Sequence, residues 1–204
     1  MATPRRALTC AGAIILAAVL FGVAVAALKG GSTGVRDSLG NVSAPWLLLP
    51  YFAGAATRGR LRGAAMGLAT CLASLAGFYI AQAFILDLGG HPVFTNIALT
   101  LGAGRYYFIA GIVAGPLFGA IGGAAGRYRS IVTAAVVGLT LVGEPLAVFA
   151  WLSGQGIDPA DTGMVIQYPA LWIGEMLLGC ILSIALLTWA RHRNVSDTIG
   201  GMHL

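Results

Sequence analysis

Polar residues in this chain come in short clusters, and long apolar runs separate them. Six runs stand out: Ala7–Leu28, Pro45–Thr57, Gly63–Leu86, Arg105–Ala125, Ser130–Leu152 and Ala170–Ala190. The first has 22 residues, about 33 Å of helix at 1.5 Å per residue. Most of the others also reach the roughly 20 residues that cross about 30 Å of hydrocarbon. The pattern predicts an all-α integral membrane bundle over residues 1–204. It has six transmembrane helices, both termini on the cytoplasmic side and a short or kinked second helix.

That second run, PWLLLPYFAGAAT, has 13 residues, about 20 Å, too little to cross alone. Ser43 is placed to cap its start, Pro45 suits the first turn, and Pro50 removes the hydrogen bond to the Trp46 carbonyl. The helix either begins earlier, near Ser38, or starts below the outer surface with its N-terminal dipole facing a cavity. Residues 91–104, HPVFTNIALTLGAG, are likewise apolar but short. They predict a re-entrant or interface-lying helix.

Composition fixes the environment. Hydrophobic residues make up 58% and charged residues 9% of the 204 positions, against about 25% charged in a soluble domain. The mean hydropathy is +0.86. Eleven of the twelve basic residues are Arg, with Lys29 the one Lys, a bias typical of a GC-rich, bacterial genome. The net charge of +5 follows topology. Arg5, Arg6, Arg58, Arg60, Arg62, Arg127, Arg129, Arg191 and Arg193 fall on one side of the six runs. Lys29, Arg36 and Arg105 fall on the other, with Asp37, Asp87, Asp158 and Asp161. Arginine-rich short loops stay in the cytoplasm. The expected location is the cell membrane, with the lipid bilayer as partner. Nothing resembles a nucleic-acid surface, which needs clustered cations with interleaved aromatic residues.

The first run is read as an uncleaved helix, being longer than a signal-peptide core. Cys10, Cys71 and Cys180 lie on three separate runs, so no disulfide or metal site is expected. His91 lies outside, while His192 and His203 lie inside. No H-E-x-x-H or G-x-S-x-G motif occurs, and catalysis and a cofactor are not expected. The tail NVSDTIGGMHL reads as a loose end.

Two features carry candidate chemistry. Gly111, Gly115, Gly119 and Gly123 recur every fourth residue around Pro116, which places them on one helix stripe. Such a stripe admits another backbone, with Gly63/Gly67 and Ala69/Ala73/Gly77 as a complementary face, or lets a ligand approach the backbone, or docks a partner subunit. Glu144 and Glu175 are the acids inside predicted crossings, each in a small echo, GEP and GEM. Antiparallel helices bring them to similar depth, where an ionisable side chain points to function. Arg105, Tyr79 and Gln82 lie at comparable depth, as do Tyr106 and Tyr107. These residues form either a polar pocket for a cation, an amine or a proton, or an ion pair in which Arg105 bridges a glutamate.

The stretches SAPWLLLPYFAGA (43–55), LAGFYI (75–80), AGPLFGAIGG (114–123) and Gly143–Glu144 resemble a family of small bacterial membrane proteins with a domain of unknown function. The likeness covers about residues 40–190 and implies six helices and no assigned activity. GPLFGAIGG (115–123) is also similar to a Gly-Pro motif in the S components of energy-coupling-factor vitamin transporters. Ala7-x-x-x-Ala11 and Ala13-x-x-x-Ala17 echo a contact motif of those proteins. That likeness implies both ends inside and outer loops that cap a ligand. The function expected from the sequence is a small-molecule binding or transport subunit, with a non-catalytic scaffold as the alternative.

Overall fold

The computed structural model describes residues 4–31, 34–40, 42–57, 59–86, 90–125, 129–154 and 169–200. Every regular element among them is helical: α1 (Pro4–Lys29), α2 (Val35–Gly40), α3 (Ala44–Ala55), α4 (Arg60–Ile85), α5 (Val93–Ala103), α6 (Arg105–Ala124), α7 (Arg129–Gly138), α8 (Glu144–Gly154) and α9 (Pro169–Gly200). One wide π turn, Leu139–Gly143, joins α7 to α8. Five stretches are long and apolar enough to cross a membrane: Leu8–Lys29, Arg60–Ile85, Arg105–Ala124, Arg129–Ala147 and Ala170–Arg191. This is the build of a multi-pass membrane protein.

The expected second crossing is not among the five. A separate helix, α2, takes Ser38, and α3 begins only at Ala44 and has 12 residues. Pro45 sits in its first turn, and the helix runs on through a fully buried Pro50. The fifth run forms α7, the π turn and α8, of which Arg129–Ala147 is long and apolar enough to cross. One other expectation is corrected. The tail is not loose up to Gly200, because α9 runs for 32 residues without a break. Arg58, Asp87, Arg127, Asp158, Asp161 and His203 lie outside the described residues.

Helix α4 is the hub, packing on α1, α6, α3 and α5. Contact with α1 is parallel and close. A side chain at Gly22 would strike the backbone of Ser74 and Phe78, and one at Gly77 the backbone of Val19. Contact with α6 is antiparallel and glycine-mediated. A Cβ at Gly115 would lie 3.0 Å from the Cys71 Cβ, and one at Gly123 2.6 Å from the Gly59 carbonyl oxygen. At Gly119 a Cβ would collide with the Gly63 backbone, whereas Gly111 faces the Leu75 and Cys71 side chains. In lipid such backbone proximity holds helices together, because apolar burial between them adds little.

The end of α1 shows how the long first connection folds. Gly30, at φ +64°, takes the left-handed conformation that ends a helix. The last carbonyls find side-chain donors: Arg36 Nε to Leu28 O at 3.0 Å, Arg36 Nη2 to Ala27 O at 3.1 Å, and Gln82 Nε2 to Ala26 O at 3.2 Å, beside the Gly30 N–H. Lys29 pairs with Asp37 at 3.2 Å. Cations and amide donors at a helix C-terminus also answer its negative dipole end.

The hairpin of α7 and α9 is antiparallel. Ser183 Oγ donates to Ala134 O at 3.1 Å, and the missing side chain of Gly179 admits Leu141 and Val142. The hairpin meets the rest of the bundle mainly through α3. Ala44, Val137 and Leu141 form a buried cluster with Val42, Leu48 and Leu186 around it. Farther along, Tyr51 is fully buried, and its hydroxyl lies 2.7 Å from Thr133 Oγ1. Thr133 spends its own proton on the Arg129 carbonyl, so Tyr51 is the donor.

Candidate functional site

Helix α3 starts inside the bundle, and its start meets α8. On one side Trp46 is wedged edge-on between Phe21 of α1 and Phe78 of α4, with ring centroids at 5.2 and 5.5 Å. On the other side, Ser43 presents its hydroxyl and its backbone N–H to the Glu144 carboxylate. Ser43 does occupy the N-cap position, but its side chain makes no capping bond to its own helix. The carboxylate of another helix takes its donors instead. An anion at a helix N-terminus is favourable both for the free N–H groups and for the dipole.

The π turn directly precedes Glu144. Pro145, the next residue, cannot donate to the Leu141 carbonyl, and in a regular α-helix its ring would press on that carbonyl. One residue more per turn over Leu139–Gly143 relieves the clash. Glu144 follows the turn as the first residue of α8. Such wide turns recur at functional sites.

Glu175 of α9 lies within Coulombic reach of Glu144. Both glutamates are half-buried. One turn before Glu175, Trp172 packs edge-on against Phe149 of α8 at 6.2 Å. Among the described residues, Glu144 Oε2, Glu175 Oε1 and Trp172 Nε1 are buried polar atoms with no hydrogen-bond partner. Each such atom costs about 1–3 kcal/mol, more if charged, unless something satisfies it. Two unmet acceptors and one unmet donor therefore lie on α8 and α9, and Ser43 beside Glu144 is exposed. No group of three or more His, Cys, Asp or Glu able to hold a metal occurs among the described residues.

The structure divides the residues singled out by sequence. Glu144 and Glu175 come together, but Arg105 does not join them. Arg105 donates to its neighbour Tyr106 Oη at 2.9 Å, and its guanidinium stands 4.8 Å from that ring's centre. The cause is architectural: α6 packs on α4 and α3 and barely touches the hairpin. An Arg105–glutamate bridge across three helices is therefore corrected. Tyr79 sits under the α5–α6 corner, 5.7 Å from Phe108 and 6.4 Å from Tyr107, where Gly104 leaves room for its ring. Gln82 is spent on the end of α1. Gly111, Gly115, Gly119 and Gly123 all face α4.

Ser43 as donor, the contact of Phe149 with Trp172 and the wide turn itself are not foreseen from the sequence. Two signals were present: a proline directly after an intramembrane glutamate, and a tryptophan three residues before the other, on the same helix face. No curated protein and no solved structure matches the chain, so the comparisons do not extend the likeness to the energy-coupling-factor S components. The model of a family of unknown function (DUF6518) matches residues 1–200, and the chain belongs to that family.

Proposed function

We propose that this protein binds a small cationic ligand, an amine or an inorganic cation, between Glu144 and Glu175, and serves as a binding or transport subunit of the cell membrane. Its work is non-enzymatic. The observation that carries the reading is the pair of buried, unpartnered carboxylate oxygens within Coulombic reach of each other. Two adjacent acids on separate helices repel each other and leave acceptors unmet, an arrangement that a cation relieves. Ser43 holds one carboxylate in place and leaves the second oxygen of Glu144 free.

The topology belongs to the same proposal. Helix α3 serves as a sixth, short crossing, and both termini are cytoplasmic. A scaffold that docks a partner through the glycine stripe has less support, because α4 already fills that stripe.

Thermal-shift titration of the purified protein with a panel of alkylamines and monovalent and divalent cations tests the reading. At least one compound raises the melting midpoint of the wild type. Glu144→Gln combined with Glu175→Gln keeps the hydrogen-bonding shape and abolishes the shift. A response unchanged in the double variant, or none across the panel, refutes the site.

A further inference from the structure

The corner between α5 and α6 has its polarity reversed relative to a soluble protein. In α5, Asn96 and Thr100 turn inward, with Asn96 7% exposed, while Phe94 is 86% exposed beside exposed Val93 and Leu99. A helix of 11 residues is about 16 Å long and cannot cross the hydrocarbon. An apolar side turned outward at that length fits a helix lying in the membrane interface.

The start of α6 continues the pattern. Arg105 is exposed and stacks on Tyr106, and Tyr106 and Tyr107 are exposed as well. Tyrosine rings and a terminal arginine collect at headgroup level. Below Arg105, at steps of four, come Ile109, Val113 and Leu117, all exposed. Four-residue steps keep one face, and twelve residues descend about 18 Å, more than one leaflet of hydrocarbon.

We infer that the α5–α6 corner seats an anionic phospholipid, its phosphate against Arg105 and Tyr106 and its acyl chain along Ile109, Val113 and Leu117. Charge complementarity selects this occupant. The column has one cation at its head and only apolar side chains below it. The guanidinium is aligned by its bond to Tyr106 Oη and leaves other N–H groups free for phosphate oxygens. The seat is independent of the glutamate pair.

Detergent-solubilised protein is offered equal phosphatidylglycerol and phosphatidylcholine, and the retained lipid is counted. The wild type keeps phosphatidylglycerol in preference. Arg105→Gln lowers that preference about fivefold, the share of one basic side chain near a charged surface, and Arg105→Lys keeps part of it. Displacement of the lipid by inorganic phosphate at equal concentration overturns the inference, as does an unchanged preference in Arg105→Gln. Spin labels at Phe94→Cys and Ile109→Cys, in a chain with the exposed Cys10 and Cys180 changed to Ser, give a second readout in vesicles. Collision with oxygen exceeds collision with a water-soluble nickel chelate at both positions if lipid covers them. Chelate access at Phe94→Cys, or dipolar broadening from a second copy, overturns it.

Discussion

Gly119 and Gly12 both lie in long apolar helices, yet one added methyl group has opposite consequences at the two. Nothing stands within 4 Å of a Cβ at Gly12, so Gly12→Ala removes only the conformational cost of glycine. It stabilises by about 0.5–1 kcal/mol. At Gly119 a Cβ meets the Gly63 carbonyl and the Gly67 backbone, which cannot rotate away. Gly119→Ala forces α4 and α6 apart and costs about 1–3 kcal/mol. Gly111→Ala falls between, since it meets the movable ends of Leu75 and Cys71. Unfolding midpoints in detergent for the three variants give the order, and equal midpoints refute it. The four-residue spacing of Gly111 to Gly123 is readable in the sequence. The contact of Gly122 with Tyr51 and Ala55, which ties α6 to α3, lies off that spacing and is invisible without the fold.

Among the elements, α3 decides whether a site exists, and the π turn accommodates the proline beside it. A π turn holds one residue more than the α-helix around it, and Leu139 lies on its exposed side. Deleting Leu139 returns the stretch to regular helix without rotating either flank. The variant still folds, at a midpoint lowered by the renewed clash of Pro145 with the helix, and keeps the response to cations. Deleting the exposed Ala135 instead, inside regular α7, rotates everything before it by about 100°. That parts Thr133 from Tyr51 and strips the hairpin from α3, so folded protein is lost. Size-exclusion profiles and thermal midpoints of the two deletions are the measurement, and equal damage from both refutes the account. The helices were legible because apolar runs bounded by arginine clusters leave few alternatives. The turn was not, because proline announces a defect in a helix without saying which kind relieves it. The partners of Glu144 were hidden for a related reason: Ser43 lies 101 positions earlier in the chain, and only the placement of α3 brings them together.

At the scale of the whole molecule, the question is which face each turn occupies, and the helix pairings answer much of it. Helix α4 runs parallel to α1, since Gln82 reaches Ala26 and Gly77 approaches Val19. It runs antiparallel to α6, and α7 antiparallel to α9. The starts of α1, α4 and α7 and the ends of α6 and α9 thus share one face. The Gly59 N–H bonds the Gly123 carbonyl at 3.2 Å, which places the turn after α3 on that face too. The end of α1 lies on the opposite face beside α2, and the return between the two faces is the sixth, short crossing proposed for α3. Short loops on the arginine-rich face are the ones retained in the cytoplasm. On the proposed topology, reporter fusions at residue 1, at 56–57 and after residue 204 read cytoplasmic, and insertions after Gly31 and before Gly90 read external. Termini that read opposite compartments refute it: an α3 that dipped and returned would start α4 on the face where α1 ends, and α4 would then run antiparallel to α1, against the Gln82–Ala26 and Gly77–Val19 contacts.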